Sequence, residues 1–407
     1  LSPYDAGALA LAAALRRRDL SPVELVRGHI QRIEAWNPSL NAVVEDRFEG
    51  AMDDARRAER ELRQGSPLPL LGVPFTVKEF LAVRGMPQTG GIVSRRHVRA
   101  GVDAPAVARL RAAGAILLGT TNAPEGGLST ETNNRVYGRT NNPWNLGRTC
   151  GGSSGGEGAA VGAGLAPFGV GSDLGGSIRI PAAMCGLVGL KPSRGRISQG
   201  PREEWSFSCQ HVVSHTVRDT AAILDACAIP FPGDGVVAPD HGRPYAGQGA
   251  SDPGRLRIGL MPDNHRIENH PDCEAAARRT ADLLSDLGHE VVESRPEAFT
   301  HIGVVKDLVQ AFNVHWRAGA VANMANLGTQ LGRPVTADEV EPGTWAMAEA
   351  GRGVTGPEYL AAEATMGRWR RDLATWWADF DVLLPPTTSQ PAPRLGEQLR
   401  PRRGQFF

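Results

Sequence analysis

The chain lacks any apolar run approaching the roughly 18 residues that a membrane-crossing helix requires, so membrane insertion is not expected. It also lacks an excess of either charge. Lys plus Arg and Asp plus Glu both number 44, which leaves no basic field for nucleic acid or an anionic membrane surface and implies that a substrate need not be charged. The five cysteines (Cys150, Cys185, Cys209, Cys227 and Cys273) form no Cys-x-x-Cys pair and no zinc-like spacing. Scattered and odd in number, they read as reduced thiols that serve as small buried residues, and a cytoplasmic location is the default expectation. None of the ten histidines falls in a His-Glu-x-x-His or similar ligand spacing, so a metal site is unsupported. Internal repeats and low-complexity tracts are absent as well.

What the chain does have is glycine and serine in two dense stretches. The first is Cys150-Gly151-Gly152-Ser153-Ser154-Gly155-Gly156-Glu157, and the second is Gly171-Ser172-Asp173-Leu174-Gly175-Gly176-Ser177-Ile178-Arg179. Glycines beside a serine let the backbone approach closely and leave N–H groups uncovered, which suits a nucleophile with an oxyanion site. Upstream, a lysine closes the apolar run Gly72-Val73-Pro74-Phe75-Thr76-Val77-Lys78. Val73, Phe75 and Val77 alternate with Pro74 and Thr76, a pattern of a strand with little solvated face, so Lys78 is expected to be buried. A solvated strand end at Glu79 is the plain alternative.

The coarse organisation is α/β. Ser21-Pro22-Val23-Glu24 reads as a capping box with proline at the first helical position, opening a helical layer over roughly residues 5 to 64. A strand over Leu71 to Val77, a helix over Asp103 to Ala113 stopped by Gly114, and a strand over Ala115 to Gly119 compose a βαβ unit with parallel pairing. Residues 229 to 254, dense in Gly, Pro and Asp, read as a surface excursion between two halves of one sheet. A second βαβ pattern follows in Leu256 to Leu260, Asp272 to Leu287 and Glu290 to Val292. A helix over Pro357 to Phe380 with Trp369, Trp376 and Trp377 then precedes a last strand over Asp381 to Leu384.

Taken together, Lys78, Ser153 and Ser177 resemble the Ser-Ser-Lys triad of the amidase signature family. The separations of 75 and 24 residues agree with it, as does the block Gly186-Leu187-Val188-Gly189-Leu190-Lys191-Pro192. The resemblance begins near Leu1, runs past Pro192, and resumes more weakly from Asp381 to Pro393. It implies one amidase domain over residues 1–407 with a large twisted mixed sheet covered by helices on both sides. Within it, 1–66 are an N-terminal helical layer, 67–228 the catalytic core, 229–254 a loop and 255–407 a C-terminal half. Family members continue beyond a segment like Leu383-Leu384-Pro385-Pro386-Thr387 into a further apolar block that walls the pocket. A chain running from Leu1 to Phe407 is therefore expected to be trimmed or to lack that block.

The same resemblance assigns roles. Ser177 would be the nucleophile, and the backbone N–H groups of Leu174, Gly175, Gly176 and Ser177 the oxyanion donors. Ser153 would relay protons, after a cis peptide bond from Gly152, because a hydroxyl both donates and accepts. Lys78 would be the base, neutral through burial although its ordinary value is about 10.4. Ser154 reads as a structural hydrogen-bonding partner, and Asp173 and Arg179 as pairing with backbone or with each other. Cys150, where the family commonly has proline, has a packing role. Asn122 to Thr130 matches the segment lining the acyl pocket, with Gly126, Gly127, Leu128, Ser129 and Thr130 as substrate contacts. Trp144 is expected in the core. Gly152-Ser153-Ser154-Gly155-Gly156 also matches Gly-x-Ser-x-Gly, but Gly147 to Gly151 is not the apolar strand that a nucleophile elbow needs.

The expected activity is hydrolysis of carboxamides through a seryl acyl-enzyme, with no metal or organic cofactor, by a monomer or homodimer acting on a small-molecule amide or carbamate. Urethane or aryl ester cleavage is a variant of the same chemistry. The rival readings are the glutamine-hydrolysing A subunit of a tRNA-dependent amidotransferase and a catalytically silent binding scaffold.

Overall fold

A computed structural model describes residues 4, 6–200, 207–240, 242–249, 251–263 and 269–397, with the side chain of residue 302 left aside. Residue 5, at the edge of the predicted helical layer, and the ends of the chain lie outside the described residues. The chain divides into two compact units, residues 1–251 with 392–407, and residues 252–391.

The first unit is built on a six-stranded mixed sheet in the order β1-β3-β2-β4-β6-β5. Its strands are β1 (Val43–Asp46), β2 (Pro74–Lys78), β3 (Ile116–Thr121), β4 (Phe168–Asp173), β5 (Val188–Gly189) and β6 (Cys209–Ser214). β2 pairs in parallel with both β3 and β4, while β1, β6 and β5 run antiparallel to their neighbours. The predicted βαβ unit is present, with α4 (Pro105–Ala112) as its crossover helix. The four-residue edge strand β1, between α2 (Pro22–Leu40) and α3 (Phe48–Arg63), was not expected within the helical layer. At the start of α2, Ser21 Oγ accepts from the Val23 and Glu24 amides and donates to Glu59 of α3 at 2.8 Å, tying the two helices together.

Helices cover both faces, as the alternation along the strands requires. On one face, Phe75 and Val77 of β2, Phe168 and Val170 of β4 and Val212 of β6 pack with α1 (Ala8–Arg17), α4 and α7 (Val217–Cys227). Phe75 and Phe168 stack with centroids 5.5 Å apart and planes 9° from parallel. On the other face, Val43, Ile116 and Leu118 pack with α2, α3 and α5 (Gly155–Gly162). Burying each such side chain contributes about 1.5–3 kcal/mol before the ordering cost.

The glycines of β4 and α5 explain how closely this second layer sits. A Cβ at Gly171 would meet Ser154 Oγ at 2.7 Å, one at Gly169 would fall on the Glu157 carboxyl, and one at Gly156 would fall on the backbone N and O of Asn122. Glycine is therefore required at these three positions by contact, since none of them has a positive φ.

Among the described residues of 229 to 254 there is one short helix, Tyr245–Gln248, and the rest are irregular, as their composition suggested. In the second unit, β7 (Arg257–Leu260), β8 (Glu290–Glu293) and β9 (Val382–Leu384) pair in parallel as a separate three-stranded sheet in the order β8-β7-β9. They do not continue the larger sheet, against the expectation of two halves of one sheet. Leu260, Ala277, Ala281, Val291 and Leu384 form a core between this sheet and α8 (Pro271–Asp286). Of three further helices, α9 (Ile302–Leu331), α10 (Pro342–Gly351) and α11 (Gly356–Trp376), the first packs against each of the other two. The tryptophan-bearing helix ends at Trp376, whose ring stacks on Phe380 at 4.3 Å. Among the described residues no helix is long and apolar enough to cross a membrane.

The tight seat of α5 predicts that Gly156→Ala costs about 1–3 kcal/mol, because the obstructing atoms are backbone and cannot rotate away. Gly101→Ala, with open space around the added methyl, should leave stability within about 0.5 kcal/mol of the parent. Denaturant melts of both variants check this; equal midpoints would show that α5 can shift outward at no cost.

Candidate active site

Three chain segments meet at one end of β2. Lys78 is the last residue of that strand, with only 1% of its surface exposed, and Glu79 after it is equally buried, so the strand does not end in solvent. Lys78 Nζ donates to Ser153 Oγ at 2.6 Å and to Ser172 Oγ at 3.0 Å. Burial pushes the amine down to about 7, against the upward pull of the Asp173 and Glu157 carboxyl groups. A lysine in that range is a free amine for much of the time at neutral pH and is able to accept a proton.

Ser153 follows a cis peptide bond from Gly152 and immediately precedes α5. Ser154 fastens that segment to β4: its Oγ donates to the Ser172 carbonyl and accepts from the Ser172 amide, both at 3.3 Å. Its own amide donates to the Ser177 carbonyl at 3.1 Å, which places the two serine-glycine stretches side by side. The hydroxyls of Ser153 and Ser177 make no hydrogen bond to each other in the free chain.

The turn that carries Ser177 is organised by Asp173, whose carboxylate is fully buried at the end of β4. It accepts from the amides of Gly176 (2.7 Å), Ile178 (3.1 Å) and Arg179 (3.3 Å), and from Arg179 Nε and an Arg179 terminal nitrogen at 2.9 Å each. Burial works to raise this carboxyl, but the Arg179 guanidinium and the amides outweigh it and hold it below the usual range. The expected donor set changes accordingly. The Gly176 N–H is taken by Asp173, which leaves the N–H groups of Leu174, Gly175 and Ser177 as the expected donors. Gly176 keeps a different role, because its φ of 122° is open to glycine alone. Ser177 and Leu174 are half-buried and Gly175 is exposed, so the turn is reachable from solvent.

The segment 126–130 lies against Ser153. A Cβ on Gly127 would come 3.5 Å from Ser153 Oγ, and one on Gly152 would press on the Ser129 and Thr130 backbone. Gly126 to Ser129 are half-buried and Thr130 exposed. Gly126 and Gly127 have φ values of 60° and 72°. The turn is held from below: the Glu79 carboxyl accepts from the Thr89 and Gly90 amides, and the Gly90 carbonyl accepts from Gly126 N–H at 2.8 Å. Burial pushes Glu79 up to about 7.

Two expectations concern neighbours of the site. Cys150 is fully buried and its thiol is pushed up to about 12 by burial, so it packs and does not react. Trp144 is not in the core: 72% of it is exposed. Its indole N–H donates to the Cys185 carbonyl at 2.8 Å and its ring lies over Gly186, so one edge is anchored while the outer face meets water. Sequence reasoning passed over Ser172, Glu79 and Glu157. Ser172 and Glu157 sit inside the quoted stretches, and an acidic residue within a glycine-alanine helix was the available signal.

The Amidase family profile matches residues 24–405. The chain is 40% identical over 402 residues to 6-aminohexanoate-cyclic-dimer hydrolase of Pseudomonas sp. (strain NK87), covering 96% of this chain and 79% of that protein. It is 35% identical over 382 residues to the acylamidase of Rhodococcus erythropolis, covering 93% and 78%. A solved structure of 6-aminohexanoate cyclic dimer hydrolase matches with a TM-score of 0.91 at 37% identity, over 99% of this chain and 83% of that one. With a match that spans nearly the whole chain, on a sheet that brings both serine-glycine stretches to one buried lysine, this protein belongs to the amidase family and is an amidohydrolase.

Proposed function

We propose that the chain hydrolyses uncharged carboxamides by serine acylation, with Ser177 as nucleophile, Ser153 as relay and Lys78 as base. The observation that carries this reading is the contact of 2.6 Å between a solvent-excluded lysine amine and the Ser153 hydroxyl, one residue from the backbone bond that joins the two stretches. Ser177 Oγ attacks the substrate carbonyl carbon while its proton passes to Ser153 and the Ser153 proton passes to Lys78. The oxyanion is received by the N–H groups of Leu174, Gly175 and Ser177; removal of one such donor elsewhere costs about 2.7–4 kcal/mol in the transition state. As the C–N bond breaks, the proton on Lys78 returns through Ser153 to the leaving nitrogen. Water then attacks the acyl-enzyme, gives its proton to the same relay, and releases the carboxylic acid with Ser177 reprotonated.

For the substrate, the names of the relatives point to compact amides, cyclic or N-acylated, and Gly127 beside Ser153 leaves room for an acyl chain. Carbamates and aryl esters present the same electrophilic carbonyl and belong to the same proposal. A panel of amides, anilides, carbamates and esters ranks them by kcat/KM, and glutamine turnover above all of these would favour the amidotransferase reading instead.

Ser177→Ala is expected to abolish both turnover and labelling by a fluorophosphonate, with the melting temperature little changed because the residue lies at a solvent-reachable turn. Labelling at the parent rate would locate the nucleophile elsewhere, and peptide mass spectrometry would name it.

Ser153→Ala and Lys78→Ala should each lose roughly 10²–10⁴-fold in kcat. The double variant should lose little more than the worse single one, as groups acting in one relay do. Fully additive losses would break the proposed relay.

The pH dependence follows from the direction of the Lys78 shift. The working form is the free amine, so kcat/KM should rise with pH through about 7 and then level off. Substituting histidines should leave that limb in place; its removal by a histidine variant would reassign the base.

A further inference from the structure

The reaction scheme leaves Glu79 unused, although this buried carboxyl group directly follows the base in sequence. Its backbone N–H donates to the Thr121 carbonyl at 2.9 Å, which carries the β2–β3 ladder one residue beyond Lys78. The side chain therefore leaves a strand end that the sheet holds in place. One carboxyl oxygen accepts from the Thr89 amide, and the other accepts from the Gly90 amide at 3.0 Å. A carboxyl group presents lone pairs on both oxygens in either protonation state, so these two bonds do not depend on titration. The turn is closed on itself by the Gly91 amide, which donates to Thr89 Oγ1 at 3.0 Å.

That turn supports the segment expected to line the acyl pocket. The Gly90 carbonyl accepts from the Gly126 amide at 2.8 Å. A Cβ at Gly91 would meet Glu125 Cα at 2.9 Å, so turn and segment touch backbone to backbone. Gly90 and Gly91, with φ values of 60° and 74°, thus rest against Gly126 and Gly127, with 60° and 72°. Gly127 is in turn the residue whose added Cβ would stand 3.5 Å from Ser153 Oγ. The start of the segment is held separately, by Asn134 donating to the Ala123 carbonyl at 2.7 Å. A line of contacts therefore runs from the neighbour of the base, through the 89–91 turn, to the space beside Ser153.

We propose that Glu79 is a positioning residue for the acyl side of the site: by fixing the 89–91 turn from the strand end that carries Lys78, it sets the gap between Gly127 and Ser153 and so limits the bulk of the acyl group. The inference rests on the reading of residues 126–130 as the acyl side. Its physical ground is the cost of leaving a buried donor without a partner. The Thr89 and Gly90 amides are both buried, and an N–H donor in place of either Glu79 oxygen would leave one of them without its acceptor. The turn relieves that cost by moving. A turn that can yield accommodates bulk that a fixed turn rejects, and pockets distinguish acyl groups by as little as one methylene.

The test measures kcat/KM for p-nitrophenyl acetate and p-nitrophenyl isobutyrate, with the rate of Ser177→Ala subtracted, in the parent, Glu79→Gln, Thr89→Val and Gly127→Ala. The leaving group is common to both esters, so the isobutyrate-to-acetate ratio reads the acyl side alone and cancels any loss of active protein or change at Lys78. In Glu79→Gln the ratio should rise about tenfold. In Thr89→Val the Gly91 amide loses its acceptor and the ratio should rise by less; this variant decides the matter if Glu79→Gln does not fold. A role confined to stability would lower both rates together and leave the ratio at the parent value. Gly127→Ala adds a methyl group 3.5 Å from Ser153 Oγ and should lower the ratio. An unmoved ratio in the Glu79 and Thr89 variants, with a lowered one in Gly127→Ala, overturns the role of Glu79 and keeps the acyl side where it is. A ratio unmoved in Gly127→Ala overturns the acyl-side assignment itself, and the proposal with it.

Discussion

Close seating of helix α5 on the sheet is the constraint from which the rest of the site follows. Gly156 on the helix and Gly169 and Gly171 on β4 remove the side chains that would otherwise hold the layers apart. The helix start then delivers Ser153 to the Lys78 amine and Ser154 to the backbone of Ser172, and its first turn drives Glu157 between Thr76 and Thr121. A layer set even one methyl group further out would break these contacts together, since hydrogen bonds weaken steeply beyond about 3.2 Å.

Exclusion of water is the electrostatic counterpart of that packing. Lys78, Glu79, Glu157 and Asp173 are all buried, and burial works against the charged form of each. Asp173 alone stays firmly charged, because a guanidinium and backbone amides surround it. Its charge has a structural use: it draws the amides of Gly176, Ile178 and Arg179 inward and so shapes the turn that exposes Ser177. Lys78, Glu79 and Glu157 have no ion pair of that kind, their hydrogen bonds do not outweigh burial, and all three are moved toward neutrality. The Lys78 amine is therefore lowered to about 7 by burial against the apolar strand and the helix layer, with no neighbouring cation involved.

Several elements were legible because their signals are local. The run ending at Lys78, the proline-led helix α4 and strand β3 were readable from alternation and from Gly114 at the helix end, and the parallel pairing followed from the crossover. Strand β1 was not, because four residues between two helices carry too little pattern. Helices α9 and α10 were missed for the opposite reason: α9 touches both α10 and α11 and so has apolar residues around much of its circumference, which blurs a single stripe. Trp144 was misplaced because a large apolar ring suggests a core, whereas its indole N–H finds a backbone carbonyl at the surface.

By itself the sequence determined which residue types stand where close approach and donor N–H groups are needed, since glycine and serine at those spacings have few other uses. It determined as well that an apolar strand leads into a lysine. Only the tertiary structure decided that the Gly176 amide belongs to Asp173, and that Glu157 is held between Thr76 and Thr121. It alone decided that the second βαβ pattern builds a sheet of its own. These outcomes depend on register and on contacts between residues far apart in sequence, such as Arg257 N–H to Asp381, 124 positions away in the smaller sheet. Local pattern records which face a side chain takes, but the partner waiting on that face is set by how distant strands and helices are brought together.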